Sequence, residues 1–356
     1  MQELIIEEGK LFIKLIVLED NKIVEFYQFD KNNMPKIGNI YRAKVKDINR
    51  NSGAIFVYYD DNKVGYIDRT DKDVRVNDEI VVMLKKEATE TKDAKMTTDI
   101  SIAGKYIVLF SNSDIHSSSK KNSIDSNLTK MIEEELQNKY GYVVRTEASN
   151  VEPEIVFDEL KQLINKWHSM EENYNSFLYN ANEINEVILR EFCKKSLSKI
   201  YINSEEIYEE IKSKIDIEID FEPDADFIEK FGMIGQLEDK EKRKIWLKSS
   251  GFINIDFTEA LTAIDVNSGK YLGNNGADKE EFCSKVNEEA ALEVMRQLRL
   301  KNLGGIIVVD FINMKSPENK AKIIDLMRQE ALKDRSKVEI YGFTNLGLVE
   351  IARKKV

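Results

Sequence analysis

Thr258-Glu259-Ala260-Leu261-Thr262-Ala263-Ile264-Asp265-Val266-Asn267-Ser268-Gly269 and, further on, Gly304-Gly305-Ile306-Ile307-Val308-Val309-Asp310-Phe311-Ile312-Asn313-Met314 decide how this chain is read. Each holds a short apolar, β-rich run that ends in an aspartate, and such runs read as buried strands. A carboxylate at the end of a buried strand is costly unless something pairs with it. Side chains at i and i+2 of an extended chain share a face, so Asp265 and Asn267 project together. Between the two runs, Phe282, Val286, Ala290, Val294 and Leu298 recur at helical spacing. They predict a helix over about 278–300 with one apolar face. Strand, helix, strand is a crossover unit that sets two strands side by side. The two aspartates then stand at neighbouring strand ends. Such oxygen ligands suit Mg2+ or Mn2+ and suit zinc poorly. The alternative is that each aspartate closes a turn or pairs with a nearby Lys or Arg.

The 356 residues allow two or three domains. With 42% hydrophobic and 33% charged residues, the composition is that of a soluble globular protein. No apolar run approaches the length of a membrane span, and the first residues do not resemble a signal peptide, so a cytoplasmic location is expected. The two cysteines, Cys193 and Cys283, are far apart and form no CxxC pair. This argues for a reducing compartment and against a cysteine-based zinc site. The two histidines, His116 and His168, fall in a serine-rich loop and a polar helix, which argues against a Ser-His-Asp triad or a His-ligated metal. The net charge of −11 argues against a general nucleic-acid binder. Local basic clusters remain: Lys85-Lys86, Lys92 with Lys95, Lys120-Lys121, Arg296 with Arg299 and Lys301, and Arg353-Lys354-Lys355. Each reads first as a solvated face.

Residues 2–30 alternate strand-like pieces with polar turns and predict a β-meander, broken at 32–35. Five short strands follow, near 38–45, 53–59, 64–67, 79–84 and 106–109, which suit a small OB-type barrel. Phe56 and Tyr66 fall on adjacent strands near Lys92. They form either a stacking platform for unpaired bases or part of the barrel core. Residues 111–126 read as a polar loop. A helix over 127–140 follows, with Asn127 as its cap and Gly141 as its stop. Tyr142-Val143-Val144 then predicts a strand ending in Arg145-Thr146, a pair able to hold a phosphate or to form a surface salt bridge. A long helix is expected over 153–175, and alternating strands and helices over 177–245, with a charged link at 239–244.

Several segments together resemble the catalytic region of the ribonuclease E/G family. They are the two aspartate segments, Arg296-Gln297-Leu298-Arg299-Leu300, Asn39-Ile40-Tyr41, Thr97-Thr98 through Ala103-Gly104, and Val144-Arg145-Thr146. The resemblance implies an α+β multidomain protein. Residues 1–36 and 176–245 would form an RNase H-like subdomain, structural because no acidic cluster stands out in it. Residues 37–112 would form an inserted OB-fold RNA-binding domain, 113–175 a 5′-phosphate sensor region, and 246–356 a DNase I-like catalytic domain. It implies an Mg2+-dependent endoribonuclease that cuts single-stranded A/U-rich RNA and favours 5′-monophosphorylated ends. Asp265 and Asp310 would hold the metal, with Asn267 placing the scissile phosphate or the attacking water. Arg145, Thr146 and Lys337 would sense the 5′ phosphate, and Phe56, Tyr66 and Lys92 would bind RNA. Tyr66 stands where the family usually has Phe, and Lys337 lacks an arginine's bidentate fork. Family members continue into a paired-cysteine segment that holds zinc between subunits. No such cysteines follow Arg353, so no zinc and no zinc-linked dimer are expected, with the oligomeric state left open. The rival reading is a non-catalytic RNA-binding protein derived from the same family.

Overall fold

The computed structural model describes residues 2–34, 36–68, 73–118, 126–193, 196–269 and 277–354. It divides into two compact units: Met1–Lys31 with Ser196–Glu209 and Ile217–Val356, and Asn32–Lys195 with Glu210–Asp216.

The first unit holds two sheets. The predicted meander is present as Gln2–Glu8, Phe12–Glu19 and Lys22–Asp30, paired antiparallel. Leu197–Ile202 adds parallel to Gln2–Glu8, and Glu218–Phe221 adds parallel to that, giving five strands. Ile5, Ile16, Leu18 and Ile23 pack there with Phe227, Ile228, Met233 and Leu300. The second sheet has six strands in the order Lys244–Trp246, Phe252–Phe257, Leu261–Asn267, Gly305–Asp310, Leu348–Arg353, Val338–Phe343. Leu261–Asn267 and Gly305–Asp310 are parallel neighbours joined through the helix Ala277–Leu300, as the crossover pattern predicts. Val286, Ala290, Val294 and Leu298 of that helix are wholly buried against Ile253, Ile255, Ile264, Ile307 and Val309. Each such Val or Leu is worth roughly 1.5–3 kcal/mol of transfer from water. A second helix, Pro317–Ala331, covers the same face through Ile323, Ile324 and Met327. Ser316 caps it, its Oγ accepting from the Asn319 N–H at 3.2 Å, and Pro317 sits at the first turn where no N–H is needed.

The second unit holds the barrel. Ile40–Ile48, Ile55–Tyr59, Lys63–Ile67, Ala94–Thr97 and Glu79–Lys86 pair in that order and close again onto Ile40–Ile48. Five strands closing this way form an OB-like barrel. The sequence alone places the fifth strand at 106–109. That segment, Ile107–Phe110, instead joins a four-stranded sheet with Ser101–Ala103, Gly141–Val144 and His116–Ser118. Ala94 and Met96 alternate inward as a strand requires, but the lysines beside them disguised it as a basic cluster. The helices Ser126–Leu136 and Pro153–Glu172 pack on the four-stranded sheet.

Other expectations also shift. His116–Ser118 is a strand within what read as a loop, and 119–125, with Lys120 and Lys121, lie outside the described residues, as does Lys355. Asn127 lies inside its helix rather than capping it. The helix ends at Leu136 because Gln137 and Asn138 turn left-handed (φ 48 and 59). Gly141 opens a strand instead. A Cβ there would run into the Asn112 carbonyl and come within 2.8 Å of the Ile115 carbonyl. Phe177–Tyr179 pairs with Ile40–Ile48, so 176–195 belongs with the barrel unit and the chain returns to the first unit at Ser196. The expected link at 239–244 is the end of the helix Ile234–Glu241 and the start of the strand Lys244–Trp246. Two basic clusters are structural rather than solvated. Arg299 is 2% exposed and paired with Glu19 and Glu330. Arg353 is buried and meets Asp334 through two nitrogens at 2.8 and 3.1 Å.

Candidate active site

One face of the six-stranded sheet is sealed by the two helices, and the other is open. Along Leu261–Asn267, Thr262, Ile264 and Val266 are buried while Asp265 is exposed; along Gly305–Asp310, Ile307 and Val309 are buried while Asp310 is exposed. Asp265 and Asp310 are register partners, so both project from the open face with backbones about 4.8 Å apart. Asn267 shares that face, and its Nδ2 donates to Asp265 Oδ2 at 2.6 Å. Asn254 is the antiparallel partner of Asp265 on the other side, a neighbour that sequence does not reveal because the register between two strands is not a local pattern. Gly269 makes the turn that follows possible: it sits at φ +68, and a Cβ would collide with the Ser250 carbonyl.

The chain just beyond Asp310 is clamped. Asn287, wholly buried mid-helix, accepts from the Ile312 N–H at 3.0 Å and donates to the Ile312 carbonyl at 2.7 Å. Glu280 accepts from the backbone N–H groups of Ser316 and Lys315, and these bonds hold its carboxyl below the ordinary range. Neither residue stood out in sequence, since each looks like an ordinary polar position on a helix. A donor set of carboxylates and side-chain amides on one open face is of the kind a hard divalent ion takes. Among the described residues no group of three or more His, Cys, Asp or Glu side chains gathers at a possible metal site. The donors here are two carboxylates and their amide neighbours.

The other expected site residues fall into three further places. Arg145 Nη1 donates to the Gly104 carbonyl at 2.8 Å, and its two terminal nitrogens lie 3.5 Å from the Glu191 carboxylate. Burial works against charge on Glu191, but the Arg145 and Arg190 guanidiniums outweigh it and hold its carboxyl below the usual range. Thr146 opens the 3-10 turn Thr146–Asn150. Nearby, Glu159 accepts the backbone N–H groups of Lys105, Tyr106 and Ile107 at 2.7–3.1 Å. A cavity of about 390 Å3 there is lined by Gly104, Lys105, Glu159, Lys166 and Arg190. Lys337, in the other unit, pairs with Glu339 at 2.6 Å.

On the barrel, Phe56 and Tyr66 are direct cross-strand partners. Both are half-buried and point away from the core built by Ile55, Val57 and Ile67, so the core-filling alternative does not hold. Lys92 is exposed in the turn closed by Thr89 and Lys92. The lysine in register with Tyr66 is Lys95, which pairs with Asp68.

Comparison with known proteins points the same way. The family model described as "Ribonuclease E/G family" matches residues 101–356. Ribonuclease G of Salmonella typhimurium is 29% identical over 360 residues, covering 90% of this chain and 73% of that protein. Ribonuclease G of Haemophilus influenzae is 30% identical over 79% of this chain and 60% of its own length. Ribonuclease E of Escherichia coli is 29% identical over 90% of this chain but 34% of its own length. With the family match running over 101–356, through both aspartate strands and the Arg145-Thr146 segment, this chain belongs to the ribonuclease E/G family.

Proposed function

We propose that the chain is a metal-dependent endoribonuclease that cuts single-stranded A/U-rich RNA, favours 5′-monophosphorylated ends, and serves RNA processing and mRNA decay. The observation that carries this reading is the register pairing of Asp265 with Asp310 on an open sheet face, with Asn267 bonded to the first. Mg2+ or Mn2+ held by the two carboxylates would supply positive charge at the phosphate and a more acidic attacking water.

The chain's own residues set the geometry. Asn267 fixes the rotamer of Asp265 and stands beside it to orient the scissile phosphate or the water. Asn287 holds the backbone past Asp310 and so limits how far that carboxylate drifts. In-line attack by water leaves a 5′-phosphate and a 3′-hydroxyl. In this reading Arg145 and Thr146 receive the 5′ phosphate, which takes the place of Glu191 on the guanidinium fork, with Lys337 adding charge. Phe56 and Tyr66 stack unpaired bases and Lys92 meets their backbone. The five-stranded sheet is then the RNase H-like part and the six-stranded sheet the DNase I-like part. One experiment tests the core of this: incubation of the purified protein with a 5′-monophosphorylated A/U-rich oligonucleotide, with and without EDTA. Cutting that needs the free divalent ion is expected; a protein that binds the RNA and leaves it intact in Mg2+ is not this enzyme.

A further inference from the structure

The open face that carries Asp265 and Asp310 continues to the edge of the sheet. Lys244, Asn254, Asp265 and Asp310 form one cross-strand row, and Trp246, Phe252 and Asn267 form the next. Trp246 is 63% exposed, an unusual position for the largest apolar side chain. Its ring meets Phe252 edge-on with centroids 5.2 Å apart. The Lys244 ammonium lies 4.4 Å from the Trp246 ring centre and 3.7 Å from that of Phe252. Beside this cluster is a cavity of about 390 Å3 that Lys22, Lys242 and Arg296 also line. Its one carboxylate, Glu293, is already bound to the Arg296 guanidinium at 2.6–3.1 Å. Lys22 and Lys244 have no carboxylate partner among the described residues. Arg296 and Glu293 cancel, so among the described residues Lys22 and Lys244 leave this edge locally positive in a chain of net charge −11.

We propose that Trp246, Phe252 and Lys244 form a substrate subsite for the RNA nucleotides flanking the scissile phosphate, with a base stacked on Trp246 and the backbone phosphate met by Lys244 and Lys22. The inference rests on RNA being the substrate. The chemistry matches: an exposed aromatic offers a stacking face to any base, and adjacent ammonium groups track the phosphates. The register supplies the connection. Two strand spacings, roughly 10 Å, separate the backbone of Trp246 from that of Asn267, with Phe252 between them in the same row. A strand of RNA that runs from the aspartates along these rows reaches this edge.

The test follows Trp246 fluorescence while a single-stranded A/U-rich RNA is titrated into the whole protein in EDTA, so that no cutting is needed for the signal. The second tryptophan, Trp167, is 8% exposed and contributes a steady background. Quenching is expected. Trp246→Leu should weaken binding and raise KM at least about five-fold with kcat nearly unchanged, the loss of one stacked base. Trp246→Phe should restore the affinity while removing the signal. Lys244→Glu should lower the slope of log affinity against log salt by about 0.7 for the lost phosphate contact. An unchanged Trp246 signal, or a Trp246→Leu protein with wild-type KM and affinity, overturns the subsite. A wild type that is quenched by RNA yet never cuts it counts against the ribonuclease reading instead.

Discussion

Asn287, wholly buried in the middle of the helix Ala277–Leu300, satisfies both backbone polar groups of Ile312, two residues past Asp310. A side chain on the covering helix thus anchors the backbone two residues past a carboxylate on the open face of the sheet. Replacing it with an apolar isostere, Asn287→Leu, leaves a buried N–H and C=O without partners. The expected cost is on the order of 2–4 kcal/mol of stability, seen as a lower denaturant midpoint. Cleavage by the protein that remains folded should also slow; an unchanged rate would mean the clamp does not transmit to Asp310.

Asp265→Asn and Asp310→Asn each remove one of two paired charges without changing shape. Either should lower kcat by about 10²-fold or more while RNA affinity, measured by filter retention, stays near wild type. Excess EDTA should do the same to the unmodified protein, and added Mg2+ should restore it. A substituted protein that still cuts removes the metal assignment.

Arg145→Ala should erase the rate difference between 5′-monophosphorylated and 5′-hydroxyl RNA of the same sequence. Glu191→Gln should sharpen that difference instead, since the guanidinium no longer has a competing carboxylate. Both outcomes are read from parallel initial rates on the two substrates.

Glu191 also makes stability depend on pH. Its carboxyl is held below the ordinary range when folded, so its ionised form stabilises the fold at any pH above the unfolded value. That contribution is lost as the pH falls through the folded value. The difference in melting temperature between wild type and Glu191→Gln should therefore be largest near neutral pH and vanish in acid. A difference that grows toward acid contradicts the pairing.

Cys193 is 1% exposed, and burial pushes its thiol up to about 11. It should resist iodoacetamide in the native protein near pH 8 and react fully once urea unfolds the chain. Labelling of the native protein, located by mass spectrometry, would show that this part of the barrel unit opens.

The elements around the aspartates were legible because their patterns are local. Alternation along 261–267 and 305–310 and the spacing of Val286, Ala290, Val294 and Leu298 each depend only on which face is buried. That is enough to predict two strands and a crossover helix, and the pairing of Asp265 with Asn267 follows from the pleat alone. The strand Ala94–Thr97 was missed for the same local reason: its alternating lysine, Lys95, carries charge on the barrel's outer face, so a short half-buried strand read as a basic cluster.

Pairing between distant strands is a different kind of quantity, because backbone hydrogen bonds carry no side-chain identity. Only the folded chain decided that Asp265 stands opposite Asp310 rather than one residue along, which would have turned one carboxylate into the core. The same holds for Asn254 beside Asp265, for Lys244 and Trp246 at the far end of those rows, and for Arg299 and Arg353, whose charges the fold buried against acids from remote segments. The sequence determined what each strand can present; register and topology determined which of those side chains meet.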